Sequence, residues 1–416
     1  MKQLLAVSWE MPPLSGPRAV QVTRTLRELS RLGWRSRVVC FGPRSTRYNQ
    51  DYHVPPDADG AVRLLRVPSP EEWLVFRALW RICPAAKRLP DEKRVWMPVA
   101  LRAARRALAS EPADLLMSFA QPWSDHLIGL RLHREAGLPW VAHFSDPWVD
   151  SPYIQGTAWQ RRIWSRMEHD VMAAATRIVF MNKQTADRVM AKYPAEFKRR
   201  ARVVPQGFDA SLTPAVPGAR RPGPLHIVYT GRFYAGVRTP DAFLTALAIL
   251  HRRAPLDGRL AVTFVGGAME AYQRASARLA LSAIVTFCGR RSPNEALAVA
   301  STADVLLVID APSDGPSLFL PSKLVDYLPL RKPILGLTPS EGASAELLGR
   351  LGYRTVDPSD AEAIAREVDR LLQSPQPDVL EVSERHDEVS GAYDIRATTC
   401  AFEAVLREAL EARQSA

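Results

Sequence analysis

Residues 4–41 read LLAVSWEMPPLSGPRAVQVTRTLRELSRLGWRSRVVCF. Leu4 to Ser8 is a short apolar run with the length of a buried strand. It enters a turn rich in proline and glycine, Met11 to Pro17. From Ala19 to Leu32 the apolar residues Val20, Leu26, Leu29 and Leu32 recur with helical period, and Gly33 ends the run. Ser36 to Phe41 is again a strand. Strand, glycine turn, helix and strand in that order make a βαβ unit of a parallel sheet.

The theme repeats along the chain. Strands are expected at Asp114–Ser118, Trp140–Phe144, Arg177–Phe180 and Arg202–Val204, with helices at His126–Ala136, Trp159–Ala174 and Gln184–Lys192 between them. Residues 211–224, SLTPAVPGARRPGP, hold four prolines and two glycines and read as a linker. Strands then resume at Leu225–Thr230, Leu260–Val265, Ile284–Cys288, Val305–Ile309 and Pro333–Leu337. Helices at Asp241–Arg252, Ala268–Leu281, Asn294–Ala300 and Ser322–Leu328 alternate with them. The expected fold is α/β, with two Rossmann-like parallel-sheet domains facing a cleft. They span residues 1–210 and 225–388, and a C-terminal helix within 389–416 packs back on the first. In such folds ligands bind at the carboxyl ends of the strands.

The bulk composition agrees. At 416 residues the chain exceeds one ordinary core, and 47% hydrophobic with 24% charged residues marks a folded, soluble protein. Cys40, Cys83, Cys288 and Cys400 are too scattered for a zinc site or a disulfide framework, which points to a reducing compartment. MKQLLAVSWEMPP is too short in apolar run for a signal peptide, and no window has the length of a membrane span; a cytoplasmic location follows as an expectation. The net charge of +11 suits nucleic acid, an anionic membrane surface or phosphorylated substrates. Nucleic acid is disfavoured, because no recognised nucleic-acid-binding motif occurs.

Two stretches of the second half carry chemistry. Val228 to Arg232 ends a strand on Gly231, with Arg238 six positions on and Thr239-Pro240 before a helix. A glycine there admits a ligand to the backbone, and the two arginines read either as phosphate ligands or as solvated loop residues. Residues 320–336 read LPSKLVDYLPLRKPILG. Pro321 suits a first helical turn, Ser322 and Lys323 follow among its free N–H groups, and Asp326 lies one turn on, placed for sugar hydroxyls. The alternative for Lys323 and Asp326 is a surface pair. A phosphate pair plus a diol acceptor describes a nucleoside diphosphate. No G-x-G-x-x-G and no G-x-x-x-x-G-K-[ST] occurs, which disfavours a dinucleotide cofactor and an ATPase.

Taken in order, Met11, Pro12, Pro13 and Gly16; Pro90, Asp91 and Trp96; Ser145 to Trp148; Val204 to Asp209; Gly231 and Arg232; Val265 to Gly267; Ala303 and Asp304; and Pro321, Ser322, Lys323, Asp326 and Tyr327 resemble a GT-B glycosyltransferase of the retaining family 4 type. The resemblance implies a nucleoside diphosphate sugar held by the second domain as co-substrate and an acceptor held by the first. It assigns Arg232 and Lys323, with Arg238, to the leaving diphosphate. It places Gly16, Gly231, Gly266, Gly267, Ser322, Leu324 and Asp326 at the donor. The family often shows two glutamates eight residues apart; Asp326 stands at the second position and Leu318 at the first, with Asp314 a substitute from the same loop. Arg331 replaces a usual glycine. Charge on the departing diphosphate would be met by these cations without a metal.

On the acceptor side, His143 and Asp146 end a strand of the first domain, where either would orient or deprotonate an acceptor hydroxyl. The segment Glu71 to Ala109 sets Trp73, Leu74, Phe76, Leu79, Trp80 and Ile82 beside Arg77, Arg81, Lys87, Arg88, Arg94, Arg102, Arg105 and Arg106. It reads as a peripheral membrane surface for a lipid-linked acceptor, or as a helical insertion with aromatics packed inward. The expected activity is sugar transfer with retention, to a glycan or lipid-linked acceptor in polysaccharide assembly. A sugar-nucleotide epimerase or hydrolase, and a non-catalytic nucleotide- or membrane-binding member of the same fold, are the alternatives.

Overall fold

The computed structural model describes residues 1–45, 48, 50, 52, 60–72, 89–214, 223–267, 269–313, 315–373 and 379–414. The chain forms two compact units, Met1–Gly207 with Ile395–Ala416, and Phe208–Asp394. Each is a parallel α/β sheet, as the alternation predicts.

The first unit has seven strands: β1 (Lys2–Val7), β2 (Trp34–Phe41), β3 (Val62–Val67), β4 (Leu115–Ala120), β5 (Trp140–Phe144), β6 (Arg177–Phe180) and β7 (Ala201–Val203). Their order is β3-β2-β1-β4-β5-β6-β7, every pair parallel, with Leu4 opposite Leu115 and Val7 opposite Ser118 across β1 and β4. The helices are α1 (Pro17–Arg31), α2 (Met97–Ser110), α3 (Ser124–Ala136), α4 (Ala158–Ala174), α5 (Lys183–Met190) and α6 (Ala195–Lys198). Local sequence sets their ends. Pro17 opens α1, and Thr157 with Gln160 forms a reciprocal capping box on α4. The sheet is buried on both faces, so its strands read as continuous apolar runs.

The second unit has six parallel strands: β8 (Leu225–Thr230), β9 (Leu260–Val265), β10 (Val285–Phe287), β11 (Val305–Ile309), β12 (Ile334–Leu337) and β13 (Thr355–Val356), ordered β10-β9-β8-β11-β12-β13. Its helices are α7 (Asp241–Arg253), α8 (Glu270–Arg278), α9 (Pro293–Ser301), α10 (Ser322–Tyr327), α11 (Ala343–Arg350), α12 (Ala361–Gln373) and α13 (Val379–Gly391). Ser292 and Glu295 cap α9 reciprocally. The last helix, α14 (Ile395–Gln414), belongs to the first unit, where Phe402, Val405, Leu406 and Ala409 are buried in the core on the α1 side.

Several elements escape the sequence reading, β3, β13, α11 and α12 among them. β3 is an edge strand whose Arg63 and Arg66 interrupt its apolar pattern. β13 has two residues, too few for any period to show. The long apolar-polar stretch after Leu337 conceals α11 and α12, of which α12 buries Ile364, Ala365 and Val368. In both sheets the strand order reverses once, between β1 and β4 and between β8 and β11, and such switch points open crevices at the carboxyl ends of strands.

Candidate functional site

In the second unit β8 runs into Gly231, whose φ of +132° lies where side chains are rarely accommodated. A Cβ there would also stand 2.8 Å from Lys323 Cε and Nζ. Gly266, at the end of β9, packs against Gly231 so closely that a Cβ would collide with the Gly231 carbonyl. Gly267 is in open space, its nearest neighbour Arg290 at 3.9 Å. Gly231 is therefore required by its backbone conformation and by the Lys323 side chain beside it, and Gly266 by its approach to the Gly231 backbone; 267 meets neither constraint.

The structure moves Lys323 from where the sequence reading put it. The helix that carries it has only six residues and offers little dipole, and the side chain turns inward and is buried. Lys323 Nζ donates to Tyr229 Oη at 2.5 Å and lies 3.8 Å from the Tyr229 ring centroid. Burial, then the nearby Arg238 charge, hold its ammonium well below the usual lysine range, against the pull of Asp310. Asp310 follows β11 directly, is buried, and accepts from Thr338 Oγ1 at 3.1 Å. Burial raises its carboxyl, opposed by Ser344, Arg238, Thr338 and Lys323.

Arg238 belongs to the same cluster. A tight hairpin between Tyr234 and Arg238 brings its Nη2 within 3.1 Å of the Arg232 carbonyl, and its guanidinium lies 5.0 Å from the Tyr234 ring. The Arg232 side chain is exposed beside the turn. Ser322 and Asp326, four residues apart on α10, are half-buried. Leu324 does not join them: it is wholly buried in the apolar core, and its N–H already bonds the Pro321 carbonyl at 3.0 Å. Arg331 sits at φ +51°, which explains why a glycine suits this place, and its guanidinium pairs with Asp387 at 2.8 Å. That departure is thus a matter of backbone. Asp314 lies outside the described residues.

In the first unit the turn after β1 is closed by the chain itself. The Glu10 carboxylate fills the space beside Gly16 and accepts from the N–H groups of Arg18 and Ala19, so it takes the place at the α1 N-terminus expected for a donor phosphate. Burial raises the Glu10 carboxyl, opposed by Arg18 and Lys93. Arg18 is buried and donates through Nη2 to the Ala120 carbonyl, to the His143 carbonyl at 3.2 Å and to His143 Nδ1 at 3.1 Å. Burial lowers its pKa to about 10, against Asp146, Asp125 and Glu10.

With a cation donating to Nδ1, His143 is the neutral tautomer bearing its proton on Nε2. Burial, Arg18 and His126 push its pKa well below the usual value. It can orient a hydroxyl through Nε2–H but has no lone pair left to take a proton. It borders a crevice lined also by Gln21, Thr25, Phe119, Gln206 and Thr398. Asp146 Oδ2 accepts from Ser145 Oγ at 2.8 Å and from Gln121 Nε2 at 3.3 Å, and burial raises its carboxyl against Ser145 and Arg18.

Sequence reasoning missed Tyr229, Asp310, Glu10 and Arg18. Asp310 had a signal, an acid closing the buried run VLLVI at a strand's carboxyl end, and Glu10 had the same one after β1. Among the described residues no three His, Cys, Asp or Glu side chains are grouped to hold a metal ion, and no helix is long and apolar enough to cross a membrane. The aromatic residues Trp73 to Ile82, with Arg77, Arg81, Lys87 and Arg88, lie outside the described residues.

Comparison with known proteins completes the picture. Residues 18–207 match the model of the glycosyl transferase 4-like domain, and residues 224–374 that of glycosyl transferases group 1. No curated protein matches the chain. Among solved structures, sucrose-phosphate synthase from Thermosynechococcus elongatus superposes with a TM-score of 0.75 at 16% identity, covering 99% of this chain and 100% of that one. HepE from Anabaena, in complex with UDP, gives 0.68 at 15%, covering 98% and 100%. WaaG, a glycosyltransferase involved in lipopolysaccharide biosynthesis, gives 0.62 at 14%, covering 97% and 98%. At such identities these superpositions speak to the fold.

Proposed function

This chain is a glycosyltransferase of the GT-B fold, and we propose that it moves a sugar from a nucleoside diphosphate sugar to a glycan or lipid-linked acceptor with retention of configuration. The observation that carries the donor side is Lys323. The fold buries a lysine at a switch point, beside Arg238 and with Asp310 acting on it, at a cost in stability that an arriving anion offsets. Gly231 and Gly266 open the backbone to that anion, and Lys323, Arg238 and the exposed Arg232 surround it.

Breaking the bond between the sugar and the diphosphate leaves negative charge on phosphate oxygens. Fixed cations in a partly dry site stabilise that charge in the transition state more than in the ground state. In this reading the three cations do so without a divalent ion. Ser322 and Asp326 meet ribose hydroxyls. On the acceptor side His143 Nε2–H orients a hydroxyl and Asp146 accepts from it, while the leaving phosphate takes the proton on the same face of the sugar.

UDP is the first nucleotide to try, since the HepE structure holds it. Thermal unfolding against UDP, GDP, ADP and dTDP tests the donor site: the nucleotide that binds raises the midpoint, and Lys323→Met abolishes the rise. No rise with any of them overturns the reading. Exposed Arg94, Arg102 and Arg106 favour contact with an anionic membrane surface at the cytoplasmic face. Co-sedimentation with anionic vesicles but not neutral ones is the expected result.

A further inference from the structure

Lys323 is held, not merely buried. Its ammonium donates to the Tyr229 phenol oxygen and rests on the same ring, with Gly231 leaving room at its flank. The ring is itself fixed: Phe233 stacks on it with centroids 4.6 Å apart and planes 9° from parallel, and Phe264 packs at 5.8 Å. Tyr229 Oη then donates to the Arg232 carbonyl at 3.4 Å, the same oxygen that receives Arg238 Nη2 at 3.1 Å. One phenol and one carbonyl thus join two cations from different segments.

We propose that Tyr229 is a positioning residue for the diphosphate: it presets the Lys323 ammonium and, through the Arg232 carbonyl, the Arg238 guanidinium as a single anion receptor. This rests on the reading that Lys323 meets phosphate. A free lysine side chain loses much rotamer freedom when it engages a ligand, and holding it in place beforehand removes that loss from binding. Tyr229 acts through Lys323 and touches no substrate atom. Because its oxygen accepts from the charged ammonium, it favours the protonated lysine. Among the described residues the other charged groups acting on the ammonium are Arg238 and Asp310.

The experiment is calorimetric titration of inorganic pyrophosphate and of UDP into the full chain across pH, for wild type, Tyr229→Phe, Lys323→Met and the double variant. Tyr229→Phe keeps the ring and deletes one oxygen, so the core is preserved; Phe233→Leu, which loosens the ring without touching the phenol, is the second variant. Expected are a loss of about tenfold in pyrophosphate affinity for Tyr229→Phe, a smaller loss for Phe233→Leu, and a larger one for Lys323→Met. The alkaline fall in affinity moves to lower pH in Tyr229→Phe, and removing the phenol costs less in the Lys323→Met background than in wild type, only the Arg238 part of its effect being left. Unchanged affinity and an unmoved alkaline limb in Tyr229→Phe, or losses that add in the double variant, overturn the proposal while leaving the phosphate site standing. Full affinity in Lys323→Met overturns the phosphate site and the proposal together.

Discussion

Gly266 supports Gly231 by direct backbone contact, and a methyl group at 266 has no room beside the Gly231 carbonyl oxygen. The glycine turn of the donor unit is therefore a two-strand construction: β9 sets the height of the turn that follows β8.

From that contact, Gly266→Ala should lower stability by about 1–3 kcal/mol through overpacking against rigid backbone, and should weaken nucleotide binding by tilting Gly231. Gly267→Ala, with nothing nearer than 3.9 Å, should change stability by less than about 0.5 kcal/mol. Denaturant midpoints of the two variants check the contrast; equal effects would show that the turn tolerates the methyl.

A buried lysine makes a prediction with a definite sign. Lys323 has a folded pKa below its unfolded one, so between the two values the unfolded chain binds more protons and stability rises with pH. Below the folded value the penalty of burying the charge is present in full. Lys323→Met removes it, and should raise the neutral-pH stability of the nucleotide-free protein by about 1–3 kcal/mol while flattening the rise on the alkaline side. Melting temperature against pH for both proteins is the measurement, and a lower midpoint for Lys323→Met would contradict it.

These two cases show how far the sequence carried. The βαβ order of residues 4–41 and the glycine at 231 were legible because period and chain-reversal chemistry are local. The burial of Lys323 was not, since its partner Tyr229 is 94 residues away and reads as one more apolar strand residue. β3 was hidden for the opposite reason: an edge strand can afford Arg63 and Arg66, so its pattern looks like loop. Leu324 shares a motif with Lys323 yet faces the core, because neighbours on a helix point about 100° apart and only one of them faces the turn after β8.

The acceptor-side pair should titrate separately. His143 is held neutral at Nδ1 by Arg18, so as pH falls through its ordinary value of 6.5 it stays unprotonated and contributes no acid limb there. Asp146, raised by burial, loses its charge at a higher pH than an ordinary aspartate as the pH falls. An acid limb in kcat/KM should persist in His143→Gln and vanish in Asp146→Asn, which should also lower kcat by about 10²-fold or more. A limb that disappears with His143 instead would reverse the roles.

Glu10 fills the turn beside Gly16, where the sequence reading expects a donor phosphate. Its carboxylate occupies the N-terminus of α1 through the N–H groups of Arg18 and Ala19. Because its folded pKa is raised, the unfolded chain keeps its carboxylate at lower pH than the folded one, so the ionised group opposes folding somewhat at neutral pH. Glu10→Gln relieves that opposition but gives up the charge at the helix terminus, two effects of opposite sign. Stability should therefore move little, and affinity for UDP or pyrophosphate should stay within about twofold, since the receptor built by Tyr229, Lys323 and Arg238 is untouched. A tenfold gain in affinity on Glu10→Gln would show instead that Glu10 competes with the donor for α1, and would restore the glycine turn at Gly16 to the phosphate site.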